Sequence, residues 1–198
     1  MAKKEAKEQR VEELIQAAVD EFTEKGYDGA SMSSIAGRAG VSKGGLYHHF
    51  RSKAEILMAA NHKLLEPIVG MVERACQASS SREGLRLFVR EYISYWDAHA
   101  RELSFFLMSL SKAMLWPELW PEYETEMESV IDTMAGVFRK GVESGEFLPH
   151  DSRGSAVTML LALDGALAYR VLDKKLELAQ TIRHFEEKFI DSLETAPQ

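Results

Sequence analysis

The most constraining stretch of this 198-residue sequence runs from Ser31 to Phe50, SMSSIAGRAGVSKGGLYHHF. Two short helical patterns flank Gly40. Ile35, Ala36 and Ala39 are the apolar residues of the first, and Leu46 is that of the second. The SMSS cluster can cap the first helix and Ser42 the second, because a serine hydroxyl accepts from a first-turn N–H. Gly40 supplies a turn in which a left-handed backbone is cheap only for glycine. Two short helices joined in this way are the sequence form of a helix-turn-helix, whose second helix enters the DNA major groove. The small alanines let the two backbones approach over Leu46.

The rest of the chain reads as helices. Val11, Leu14, Ile15, Ala18 and Phe22 predict a helix over 8–22 that Gly26 stops, and Ile56, Leu57, Ala60, Leu64, Ile68 and Val72 predict one over 53–75. Further helices are expected near 82–99, 101–115, 118–143, 153–172 and 176–194. No alternating strand pattern appears, so the expected fold is all-α, with about nine helices. It divides into a helix-turn-helix domain over residues 1–52 and a larger helical bundle over 53–198. A hydrophobic content of 45% suffices for a core. One cysteine, Cys76, allows no internal disulfide. The charged N-terminus lacks the apolar run of a signal peptide, and no uninterrupted apolar stretch approaches the ~20 residues of a membrane helix. These features lead us to expect a soluble, cytoplasmic protein.

The net charge of −7 is unevenly spread: residues 1–53 carry +1 and the remainder −8. An anionic partner would meet the first quarter of the chain. There, Ser31, Ser33, Ser42, Tyr47, His48, His49 and Lys53 suit a phosphate backbone, and Lys43 is the best candidate for a guanine contact. Gly44 and Gly45 fall in the first turn of the second helix. Without side chains they let backbone N–H groups approach a phosphate, although relief of crowding against a neighbouring helix would also explain them. The adjacent histidines make a poor metal site, because neighbours on a helix point about 100° apart.

The run SMSSIAGRAGVSKGGLYHHFRSKAEIL, Ser31 to Leu57, resembles the DNA-binding segment of the tetracycline-repressor (TetR) family, with its framework IAxxAGVSxGxxYxHFxxK. The resemblance is dense over about 27 residues, and past about residue 60 it is one of size and helical layout only. It implies a bacterial homodimeric transcriptional regulator, usually a repressor, released from a palindromic operator on double-stranded DNA by a small molecule. Ser31 stands where threonine is usual, which keeps the hydroxyl. Gly45 stands where a side chain is more common.

Two reading heads about one helical turn apart require a dimer. The segment SAVTMLLALDGALAYRVL, with Leu160 and Leu167, is apolar nearly all round, and Leu178, Ile182, Phe185 and Phe189 form a stripe on the last helix. Together they are the candidate dimer interface. Between them and the DNA-binding end lie Trp96, His99, Phe105, Met108, Trp116, Trp120, Tyr123 and Met127, large adaptable side chains that suit a cavity for a hydrophobic or aromatic effector. Asp164 is an expensive carboxylate in an apolar helix, expected to meet a cationic or hydroxylated ligand or to pair with Arg170 or His99. No nucleophile–base motif, phosphate loop or metal-ligand pattern points to an enzyme, and no cofactor is expected. The rival readings are a helical protein-binding adaptor and an effector-independent activator.

Overall fold

A computed structural model describes residues 2–115, 120–173 and 176–194, with side chains described at 8–112, 124–125, 127–173 and 176–194. In chain order the helices are α1 (Ala2–Gly29), α2 (Met32–Arg38), α3 (Lys43–His49), α4 (Lys53–Gln77), α5 (Ser81–Ala98), α6 (Ala100–Leu115), α7 (Trp120–Glu143), α8 (Ser152–Leu172) and α9 (Leu178–Phe189). Among the described residues there is no strand. A short 3-10 turn, Asp191–Leu193, follows α9.

The expected all-α pattern is therefore present, with local differences. α1 begins earlier than its apolar stripe, since AKKEAKEQ is made of good helix formers. It is interrupted at Gly26, where φ is 69° and ψ is 169°. Gly40 has φ 66° and forms the expected left-handed turn.

Packing divides the chain into two units, 1–66 with 101–123, and 67–100 with 124–198. The division runs through α4 at Pro67 rather than at 52/53, and it groups α6 with the N-terminal helices. The reason is visible in the first unit's core. Leu14, Ala18 and Phe22 of α1, Ile35 and Ala36 of α2, Leu46, and Ile56, Leu57 and Ala60 of α4 form one cluster that also contains Phe105 of α6. Phe105 stacks on Phe22 with ring centroids 6.0 Å apart. Asn61 and Ser109 are a buried polar pair joining α4 to α6, the Ser109 hydroxyl donating to Asn61 Oδ1 at 2.6 Å.

In the second unit α5 packs on α8 and α9 around Phe88, Trp96, Met159 and Leu163. Its first turn is capped by Ser80 and by the Glu146 carboxylate, which accepts from the N–H groups of Ser81 and Arg82 at 3.1 and 3.0 Å. α8 buries Ala156, Met159, Leu160, Leu163 and Leu167 and exposes Leu161, Tyr169 and Leu172. By length and mean composition alone, α8 is apolar enough to cross a membrane. It carries Asp164 and Arg170 within that length, and one side of it is packed in the unit.

At Gly84 α5 approaches α4 closely: a Cβ there would stand 2.2 Å from the Ala75 carbonyl oxygen. Gly84→Ala is expected to cost about 2 kcal/mol, because backbone must move. A lower urea midpoint with unchanged slope would show it.

Candidate nucleic-acid interface

The helix-turn-helix is set by caps and one anchor. Ser31 caps α2 reciprocally: its hydroxyl accepts from Ser34 N–H at 3.0 Å, and its own N–H donates to Ser34 Oγ at 3.0 Å. Ser42 caps α3 by accepting from Gly45 N–H at 3.1 Å. Leu46 is the buried side chain of α3, and Phe50 closes the helix with its N–H on the Leu46 carbonyl.

Everything else on α3 is wholly or partly exposed. Lys43, Gly44, Tyr47 and His48 are exposed, and Gly45 and His49 are half-buried. The Lys43 ammonium lies 5.9 Å from the centroid of the Tyr47 ring, and the His48 and His49 rings meet edge to face at 5.3 Å. A Cβ at Gly44 would meet nothing nearer than 4.0 Å, and at Gly45 nothing nearer than 3.4 Å. Crowding against a neighbouring helix thus does not explain the two glycines.

Ser31, Ser33 and Ser42 are likewise exposed, and Lys53 differs. Lys53 is turned inward. Its Nζ donates to the carbonyls of Tyr27 at 2.7 Å and Ala30 at 3.0 Å, and it lies 4.2 Å from the Tyr27 ring centroid. Sequence reasoning passed over Arg51, exposed in the turn between α3 and α4, although a cation next to the second helix was the available signal.

It also missed the charge network that orients α2. Glu21 is 1% exposed; it pairs with Lys25 and accepts from Arg38 Nε at 2.8 Å. Arg38 also pairs with Glu24, to which Arg101 of α6 reaches at 3.3 Å. The Lys25 hydrogen bond above all, with help from Ser34 and Arg38, holds the Glu21 carboxyl down at about 2 against the opposing effect of burial.

The predicted effector residues are distributed over both units. Phe105 and Met108 belong to the first unit's core, whereas Trp96, His99, Met127 and Asp164 belong to the second unit. Trp116 lies outside the described residues, as do the side chains of Trp120 and Tyr123. Asp164 has neither expected partner: it accepts from the Tyr92 hydroxyl at 2.5 Å, and burial raises its pKa. Arg170 instead donates to Asp97 at 3.1 Å, and His99 stacks on Tyr95 at 4.3 Å. Two clefts in the second unit have other walls: one of about 710 Å³ beside Arg82, Arg86 and Arg90, another of about 320 Å³ beside Cys76, Asp132 and Lys140. No group of three His, Cys, Asp or Glu among the described residues could hold a metal ion.

Of the predicted interface residues, Leu160, Leu167 and Phe185 are buried within their own unit. Leu178, Ile182 and Phe189 are half-buried or at its margin. On α8 the most open large apolar positions are Leu161, Tyr169 and Leu172, at 64, 55 and 83% exposure.

The profile of the bacterial regulatory proteins of the tetR family matches residues 14–60, which span α1 to α4 around this interface. Residues 14–60 thus match the TetR family of transcriptional regulators, and the chain as a whole is similar to its members. The crystal structure of the TetR-family regulator PfmR from Thermus thermophilus is 26% identical, covers 92% of this chain and 99% of that one, and has a TM-score of 0.74. FadR from Bacillus subtilis in complex with stearoyl-CoA has the same fold, with a TM-score of 0.80 at 24% identity over 91% of this chain and 98% of that one. The transcriptional activator FasR of Mycolicibacterium smegmatis is 36% identical over 90 residues, which are 45% of this chain and 41% of that relative, so the match spans less than half of either.

The depressed Glu21 carboxyl makes stability depend on acid. Since its folded pKa lies below its ordinary 4.5, its contribution is complete above pH 4.5 and is lost as pH falls toward 2. Glu21→Gln should remove on the order of 1 kcal/mol of the acid dependence in that window, read as the difference between the two pH–stability curves.

Proposed function

We propose that this chain is a homodimeric TetR-family regulator that binds a palindromic operator and leaves it, as a repressor, when a small apolar effector binds. The observation that carries the DNA reading is α3: it turns Leu46 inward and presents Lys43, Gly44, Tyr47 and His48 outward. Ser31, Ser33, Ser42 and His49 stand as further backbone contacts, and Lys43 as the base reader. The positive balance of residues 1–53 supports the same end of the molecule. A cytoplasmic location follows from this reading.

The dimer reading rests on the outward face of α8. Leu161, Tyr169 and Leu172, with exposed Gly165 allowing close approach, fit a second copy of the same face better than they fit water. The neighbouring α9 supplies Ile182 and Phe189 at the margin.

For the effector, the stearoyl-CoA bound to FadR favours an acyl chain over an aromatic compound. Trp96, His99, Met127 and Asp164 are its candidate contacts in the second unit. The effector acts by binding more tightly to a conformation in which α4 is displaced and operator geometry is lost; equal affinity for both states would shift nothing. The activator FasR favours one alternative, activation in place of repression.

Selection of bound duplexes from a random pool tests the DNA reading. The wild type should enrich a palindrome and Tyr47→Ala should not; enrichment by neither, in folded dimeric protein, rules it out. Leu161→Asp should convert the dimer to monomer by light scattering with helix content unchanged. An unaltered mass would move the interface elsewhere.

A further inference from the structure

The end of α1 and the N-cap of α2 meet in a corner, Tyr27 to Ser31, where helical donors for backbone carbonyls run out. Lys53, the first residue of α4, fills that gap. Its ammonium has three protons, and it donates to Tyr27 O at 2.7 Å and to Ala30 O at 3.0 Å. The cation also lies over the Tyr27 ring, 4.2 Å from its centroid. Lys112 of α6 holds the same corner, paired with Asp28 at 2.6 Å and 5.5 Å from the Tyr27 centroid. Ala30 immediately precedes Ser31, whose reciprocal cap with Ser34 starts α2. Lys53 therefore binds at the point where α2 leaves α1, beside the charge network that Arg38 makes with Glu21.

We infer that Lys53 serves operator binding as a positioning residue, holding the α1–α2 corner through the Tyr27 and Ala30 carbonyls, and not as a phosphate contact. Reaching a phosphate would break both of these hydrogen bonds from the ammonium, and giving up charged hydrogen bonds of this kind is costly. The exposed cations Lys43 and Arg51 are free of such duty. The inference rests on the DNA-binding reading above, but its test is separate from that reading's.

The two roles differ in their salt dependence. A phosphate contact releases counterions, so its loss reduces the slope of log affinity against log salt by about 0.9; loss of a positioning residue lowers affinity at constant slope. Affinity for the duplex recovered by pool selection would be measured across salt for the wild type, Arg51→Ala, Lys53→Met and Lys53→Arg, with the folded fraction followed by circular dichroism. Arg51→Ala, which removes an exposed cation not assigned to a base, calibrates the slope change. Lys53→Met should lose about tenfold in affinity with the wild-type slope, as expected for losing charged hydrogen bonds whose effect is partly transmitted. Lys53→Arg keeps the charge but replaces a compact ammonium by a planar fork, so it should also lose affinity at wild-type slope.

A reduced slope in Lys53→Met together with wild-type affinity in Lys53→Arg would overturn the inference in favour of a phosphate contact. Unchanged affinity in folded protein, with only a lower melting temperature, would overturn it in favour of packing alone. If Lys53→Met does not fold, Lys53→Arg decides by the same criteria. A wild type that recovers no duplex removes the DNA reading itself, a result distinct from any behaviour of the variants.

Discussion

Leu46 is the side chain by which α3 is held. The helix has seven residues, too few to persist alone in water, and Leu46 is the one it buries fully. Its geometry is therefore borrowed from what surrounds that leucine: Ile35 and Ala36 on α2, the glycine turn at φ 66°, the Ser42 cap, and the Phe50 N–H closing the last turn. Such economy has a functional side. A helix anchored at one point leaves most of its surface without structural duty, and that surface is where Lys43, Tyr47 and His48 stand.

The platform beneath is held by different physics at different places. Phe22 and Phe105 bring α6 into the apolar core, while Glu21 and Arg38 fix α2 on α1 by charge. Glu21 is buried and costly unless paired, so Arg38 and Lys25 are required by it rather than added to it. Glu24 and Arg101 continue the network to α6 near solvent, where each pair contributes little alone. An α6 that moved would disturb both the stack and the network.

The helices, the caps at Ser31 and Ser42 and the turn at Gly40 were legible in the sequence because each depends on residues within five positions of one another. The side chains that depend on distant partners were not. Lys53 reads as a free cation next to a recognition helix, and only the fold brings the Tyr27 and Ala30 carbonyls to it across more than twenty residues. Phe105 and Met108 looked like neighbours of Trp96 along the chain, yet packing divides them between two units. α8 is apolar on both sides, so its pattern could not tell the inward Leu160 and Leu167 from the outward Leu161 and Leu172. Asp164 was visible as an anomaly, but its partner Tyr92 lies on another helix with nothing in either sequence to announce the pairing.

Gly44 and Gly45 show how these constraints combine. Alanine at either position would meet no atom closer than 3.4 Å, and in a helix it would be more favourable by up to about 1 kcal/mol. The chain forgoes that stabilisation in a helix that has little to lose. Packing does not ask for glycine there, and neither residue has positive φ. What remains is access: the first-turn N–H groups of Lys43 and Gly44 have no helical acceptor, and no side chain at 44 or 45 stands in front of them. In the proposed DNA reading such a first turn would gain close backbone approach to a phosphate and give up two positions of base readout, leaving that readout to Lys43, whose ammonium lies 5.9 Å from the centroid of the Tyr47 ring.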